Sequence, residues 1–153
     1  MTLKSKVADA LQDAMRAKDA TRLSTLRLIN AAIKDREIAQ RGTEDGEAAI
    51  GDPEVLVILG KMVKQRHESA RAYDEGGRLE LAEKERDEIK VIEDFLPRQM
   101  SEDEVAAAID AAIAQAGASS IRDMGAVMGT LKGKFTGQMD FGTVGPMVKA
   151  RLS

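Results

Sequence analysis

Four cations near one end of the chain, Lys132, Lys134, Lys149 and Arg151, stand in a run whose glycines recur at 125, 129, 133 and 137. Ammonium and guanidinium groups neutralise phosphate, and glycine lets a second backbone come close. The combination suits an anionic strand or a packed helix. An every-fourth spacing keeps the glycines near one helix face, with a slow drift round the axis. Each glycine inside a helix costs roughly 1 kcal/mol against alanine, so several in one helix call for a compensating contact. Phe135 and Phe141 are the only aromatics nearby. If RNA is bound, that scarcity favours contact with the backbone over stacking on bases.

Other chemistry is poorly supplied. His67 is the only histidine and sits between Arg66 and Glu68 in a helical pattern, so neither a histidine metal set nor a serine triad can be built. The carboxylates of LAEKERDEIKVIEDF alternate with Lys84, Arg86 and Lys90 and lack any Glu-x-x-His pairing, which describes an ion-paired, solvated face. No G-x-S-x-G elbow occurs. Gly129 to Gly133 comes nearest to a phosphate loop but lacks the Lys-Ser/Thr pair and a preceding strand. No catalytic residue, cofactor or metal is expected. Met124, Met128 and Met139 flank the glycines; core packing is the favoured role, a flexible binding surface the other.

Composition narrows the class. At 153 residues the chain is one large domain or two small ones. It has no cysteine and no tryptophan, and aromatics are 3%, which excludes a disulfide framework and a thiolate metal site. No apolar run reaches the roughly 18 residues of a membrane span. The opening MTLKSKVADALQDAM lacks the apolar block of a secretory signal and reads as an amphipathic helix. A soluble, cytoplasmic protein is expected by elimination. The net charge of −3 is uneven: Gly117 to Ser153 holds five basic and two acidic residues (+3), the rest 18 and 24 (−6). A basic end on an acidic body points modestly to an anionic partner.

The elements that carry these residues read as helices throughout. Leu3, Val7, Leu11, Ala14 and Met15 give the first an apolar stripe, and Leu23, Leu26, Ile29, Ile33 and Ile38 the second, from about Ala20 to Arg41. Gly42 to Gly51 is a polar loop, expected to be mobile. Asp52 as N-cap and Pro53 at the first position open a third helix, which Gly76-Gly77 ends. Leu79, Ala82, Ile89, Ile92 and Leu96 supply the stripe of a fourth, stopped by Pro97. Ser101 and Glu104 form a capping box for the fifth. Ser119 and Ser120 offer caps for the glycine-spaced helix, and Asp140 caps the last. The expected fold is all-α: an elongated four-helix domain over residues 1–96, then a three-helix domain over 97–153.

The initial LRLINAAIKDREI, the junction LPRQMSEDEV and the run MGAVMGTLKGKFTGQMD, in that order, resemble the YqeY family. That family is similar to the helical and tail domains of GatB, the B subunit of glutamine-dependent aminoacyl-tRNA amidotransferase. The resemblance spans Leu3 to Leu152 and marks residues 97–153 as a GatB/YqeY-like tail domain. Gly125, Met128, Gly129, Lys132, Gly137 and Asp140 match its motif positions. By the resemblance the glycines permit close backbone approach, Lys132 meets phosphate, and Asp140 caps the final helix. Gln138 and the pair Gly145-Pro146 depart from the pattern.

The resemblance implies a non-catalytic accessory protein that binds tRNA or joins an aminoacyl-tRNA amidotransferase or synthetase complex. The expected nucleic-acid-binding set joins the matched Gly125, Met128, Gly129, Lys132 and Gly137 to the neighbouring cations Lys134, Lys149 and Arg151. The amidotransferase's large catalytic cradle has no counterpart here, so the family's link to carbon–nitrogen ligase chemistry with glutamine as amido donor implies no activity of this chain alone. The alternative is a helical protein-interaction module with no RNA role. A free-standing carbon–nitrogen ligase stands third, for want of nucleotide and nucleophile signatures.

Overall fold

A computed structural model describes residues 2–40 and 50–153 of the chain. Among them are seven α-helices and no strand, as the apolar periodicities require. The chain divides into two compact units, residues 1–96 and 97–153. The Gly42–Gly51 loop, apart from its last two residues, and Arg41 lie outside the described residues.

The first unit holds α1 (Leu3–Ala17), α2 (Ala20–Gln40), α3 (Asp52–Glu75) and α4 (Leu79–Glu93). Thr2 caps α1, its hydroxyl accepting from Ser5 N at 3.1 Å. Lys18 ends that helix in the left-handed region at φ 55°. The Asp19 carboxylate accepts from Arg22 N at the start of α2. Asp52 differs from its expected role. Gly51 is the N-cap of α3, Asp52 is already helical, and its Oδ1 accepts from Leu3 N at 3.0 Å. The acid therefore serves the N-terminus of α1, whose free amides attract negative charge. Gly77, at φ 73°, turns the chain so that α4 packs along α3.

Leu26, Ile29, Ile33, Val55, Leu59 and Ile92 are fully buried at the centre of this unit, with Val7 and Ala14 from α1. Three residues expected in the stripes face solvent instead: Met15, Ile38 and Leu79. Met15 and Ile38 stand in the last turns of their helices and Leu79 is the first residue of its own. Arg66 and Glu88 join α3 to α4 with Nε to Oε2 at 3.0 Å, both side chains nearly buried. The Arg66 Nη1 also donates to Met62 O, so the guanidinium is held on two sides.

The second unit holds α5 (Glu102–Ala116), a single 3-10 turn (Ile121–Asp123), α6 (Met124–Phe135) and α7 (Phe141–Leu152). The capping box at Ser101 and Glu104 forms as expected. Arg98 adds a bidentate pair with Glu104, at 2.9 and 2.6 Å. The Arg98 guanidinium, helped by Ser101 N–H, pulls the Glu104 carboxyl down to about 2. Gly117, left-handed at φ 62°, closes α5. Ile109, Ala112, Val127, Leu131, Val144, Val148 and Leu152 form a core shared by all three helices.

Candidate functional site

The glycine run folds as α6, and its surroundings fix which way the glycines look. Ser120 caps the 3-10 turn that precedes the helix, and Asp123 Oδ2 accepts from the amides of Ser119 and Ser120. At about 100° per residue, Gly125, Gly129 and Gly133 share an arc of about 80°. Val127 and Leu131, both fully buried, lie on the opposite side. The glycines are therefore on solvent, and all three are exposed. A Cβ added at any of them would meet nothing within 4 Å.

The strip is bordered by small or cationic side chains. Ala126 and Thr130 stand on one edge, and Thr130 turns its hydroxyl back to Ala126 O at 3.1 Å. Lys132 stands on the other edge, exposed, with no ion pair for its ammonium among the described residues. Neither Ala126 nor Thr130 carries charge, so the sequence alone gives no signal for them. Only their position beside the glycines marks them.

The remaining residues of the expected nucleic-acid-binding set divide differently. Lys134 is exposed but points its Nζ at the neutral Gln115 Oε1 of α5, 3.0 Å away. Lys149 is exposed on α7. Arg151 lies 2.8 Å from Asp110 Oδ1, an ion pair that ties α7 to α5 and partly cancels its charge. Met128 packs against the core of the unit and is not part of the open strip. Gly137 follows α6 at φ 79°, a conformation that disfavours side chains, and its carbonyl accepts from Gln99 Nε2 at 2.6 Å. Gly137 is thus a turn glycine. Asp140 caps α7 as expected, accepting from Gly142 N at 3.0 Å.

The structure thus brings Gly125, Gly129 and Lys132 together on one face and adds Gly133, while leaving Met128, Gly137 and Arg151 to structural tasks. No group of three or more His, Cys, Asp or Glu that could hold a metal occurs among the described residues. No helix among them is long and apolar enough to cross a membrane. What the arrangement can do is admit a partner to within contact of the α6 backbone, with a cation at its margin.

An all-helical protein of two units, the second built round an exposed glycine face, is the class these features define. Residues 4–152 match the family described as Yqey-like protein, and the chain belongs to the YqeY family. Among curated relatives, "Altered inheritance of mitochondria protein 41, mitochondrial" of Eremothecium gossypii is 36% identical over 103 residues, 66% of this chain and 54% of that protein. The protein of the same name from Lachancea thermotolerans is 34% identical over 86 residues, 56% of this chain and 43% of its own length. That from Clavispora lusitaniae is 40% identical over 86 residues, 56% and 46% of the two chains. The chain spans about half the length of the curated relatives it matches.

These names overturn the cytoplasmic expectation, since the relatives are mitochondrial proteins. That expectation rested on the lack of an apolar block alone. Organelle leaders are amphipathic and Arg-rich, so a missing apolar block never bore on them.

Proposed function

We propose that the second unit applies the glycine face of α6 to the sugar–phosphate backbone of tRNA, as a non-catalytic accessory to an aminoacyl-tRNA amidotransferase or synthetase complex. The observation that carries this reading is the open strip of Gly125, Gly129 and Gly133 beside Lys132, on the side of the helix opposite the core. Three glycines lower the stability of α6 without relieving any crowding within its unit. A close-approaching external backbone accounts for them. The ammonium groups of Lys132, Lys134 and Lys149 supply charge. Arg151, held by Asp110, contributes less.

Three phosphate contacts give an affinity that falls with salt at a log–log slope of about −2 to −3, and non-specific binding in the micromolar range. Fluorescence anisotropy against bulk tRNA at low and physiological salt tests this, with Lys132→Ala/Lys134→Ala as the control. Salt-dependent, saturable binding that the control weakens is the expected result. Binding with an unchanged slope in the control would remove the cations from the interface. No binding at either salt would favour the second reading, in which a partner helix packs on the same strip. That reading draws on the same small side chains, which let two helices approach closely.

A further inference from the structure

Five of the eight methionines fall within the second unit, one in its buried core and four packed against that core. Met139 is buried, while Met100, Met124, Met128 and Met147 are half-buried, packed on the core yet open to solvent on one side. The described methionines of the first unit are placed differently. Met15 is 47% exposed and outside the core, and Met62 is 8% exposed within it. A half-buried methionine packs on the core and still presents part of its surface to a small oxidant in solvent. Four of them in a unit of residues 97–153, small enough to be marginally stable, form a concentrated weak point.

We propose that the second unit is a methionine-oxidation switch: hydroperoxide oxidation of Met100, Met124, Met128 and Met147 opens its core while the first unit stays folded. In the step itself, a sulfur lone pair attacks the distal peroxide oxygen, an S–O bond forms and the O–O bond breaks. Sulfur loses two electrons and the peroxide is reduced, its leaving hydroxide taking up the remaining proton as water. The product is a sulfoxide, whose strong dipole replaces a flexible apolar group. Turned towards the apolar core of the unit it gives up its hydration, and turning outward it leaves a gap in the packing. Met124 and Met128 belong to α6, so opening this unit also dismantles the glycine face. The fold readout nonetheless stands whether or not that face binds RNA.

The test treats the full chain with increasing hydrogen peroxide, places the added oxygens by peptide mass, and follows amide hydrogen exchange peptide by peptide. Met15 serves as an internal reference that oxidises without consequence. The expected result is a fall in protection of about ten-fold or more across α5–α7 as the four sulfoxides accumulate, with α1–α4 unchanged. The variant Met100→Leu/Met124→Leu/Met128→Leu/Met147→Leu, a set of volume-conserving swaps, is expected to keep its protection at the same dose. The single variants Met124→Leu and Met128→Leu, each expected to blunt the response, keep the test decisive if the fourfold variant does not fold. Oxygen uptake at the four sites with protection intact would overturn the proposal. So would an equal loss in both units, or oxidation of Met15 alone at doses far beyond those that modify it.

Discussion

Replacing Gly129 by alanine is expected to stabilise the protein, and the size of the gain follows from the position. Gly129 is central in α6, exposed, and in ordinary helical geometry, and a Cβ there has no atom within 4 Å. Nothing opposes the full helix-propensity difference of about 1 kcal/mol. Gly125 and Gly133 lie in the first and last turns, where fewer backbone bonds depend on them, and about 0.5 kcal/mol each is a reasonable share. The triple alanine variant should then gain about 2 kcal/mol. For a cooperative unit of this size each kcal/mol moves the midpoint by about 4–8 °C. Native-state hydrogen exchange on the full chain reads the gain directly at the amides of α6. Gly137→Ala is the control with opposite sign. At φ 79° a side chain is strained, and a loss of about 1 kcal/mol is expected from the same chemical change. Should Gly129→Ala destabilise α6, some part of the chain already occupies the glycine face, and the face could not be offered to a partner. Weakened tRNA binding by a more stable protein would, in contrast, locate the contact without any ambiguity from misfolding.

Three further outcomes follow from individual contacts. Arg66→Ala leaves Glu88 charged and nearly buried, and is expected to cost about 3 kcal/mol in urea unfolding, whereas Arg66→Met with Glu88→Leu should recover most of that loss. Lys18→Gly relieves a left-handed residue at the end of α1 and should raise stability by about 0.5–1 kcal/mol, measured by thermal unfolding. Glu104 has its folded pKa lowered from 4.5 to about 2 through Arg98, so its contribution is complete above about pH 4.5 and is lost as pH falls towards 2. In Glu104→Gln the acid-side decline of α5 protection over that window should be shallower, and an unchanged decline would show that the Arg98 pair does not couple to folding.

Local chemistry was legible in the sequence, and long-range partners were not. The capping box at Ser101 and Glu104, the Asp140 cap and the Gly117 stop each depend on residues within four positions of one another, so spacing alone exposes them. The all-helical class follows from the same short-range periodicity. Asp52 shows where this ends. Its residue type announced a helix start, but the carboxylate is used 49 positions away at Leu3 N. Arg151 shows the same limit, because only the folded unit places Asp110 beside it. Arg98 is a nearer case: the bidentate pair with Glu104 spans six positions, outside any helical pairing rule.

The glycines show a different limit. Their every-fourth spacing assigns them to one face of a helix but not to the core or the solvent side, because glycine has no side chain whose hydropathy would tell the two apart. Val127 and Leu131 settle it, since their burial fixes the opposite direction as outward. That placement changes what the glycines imply. Buried glycines would be explained by close packing within the fold, and selection for stability would suffice. Exposed ones in open space weaken the helix with no gain to the unit that contains them. Nothing within the unit compensates for them, and the backbone of α6 is what a partner outside it would reach. Anisotropy measured on Gly129→Ala therefore separates the cases better than any charge substitution. Lost cations weaken every anionic contact, whereas a single methyl on an open helix face weakens only a partner seated on it.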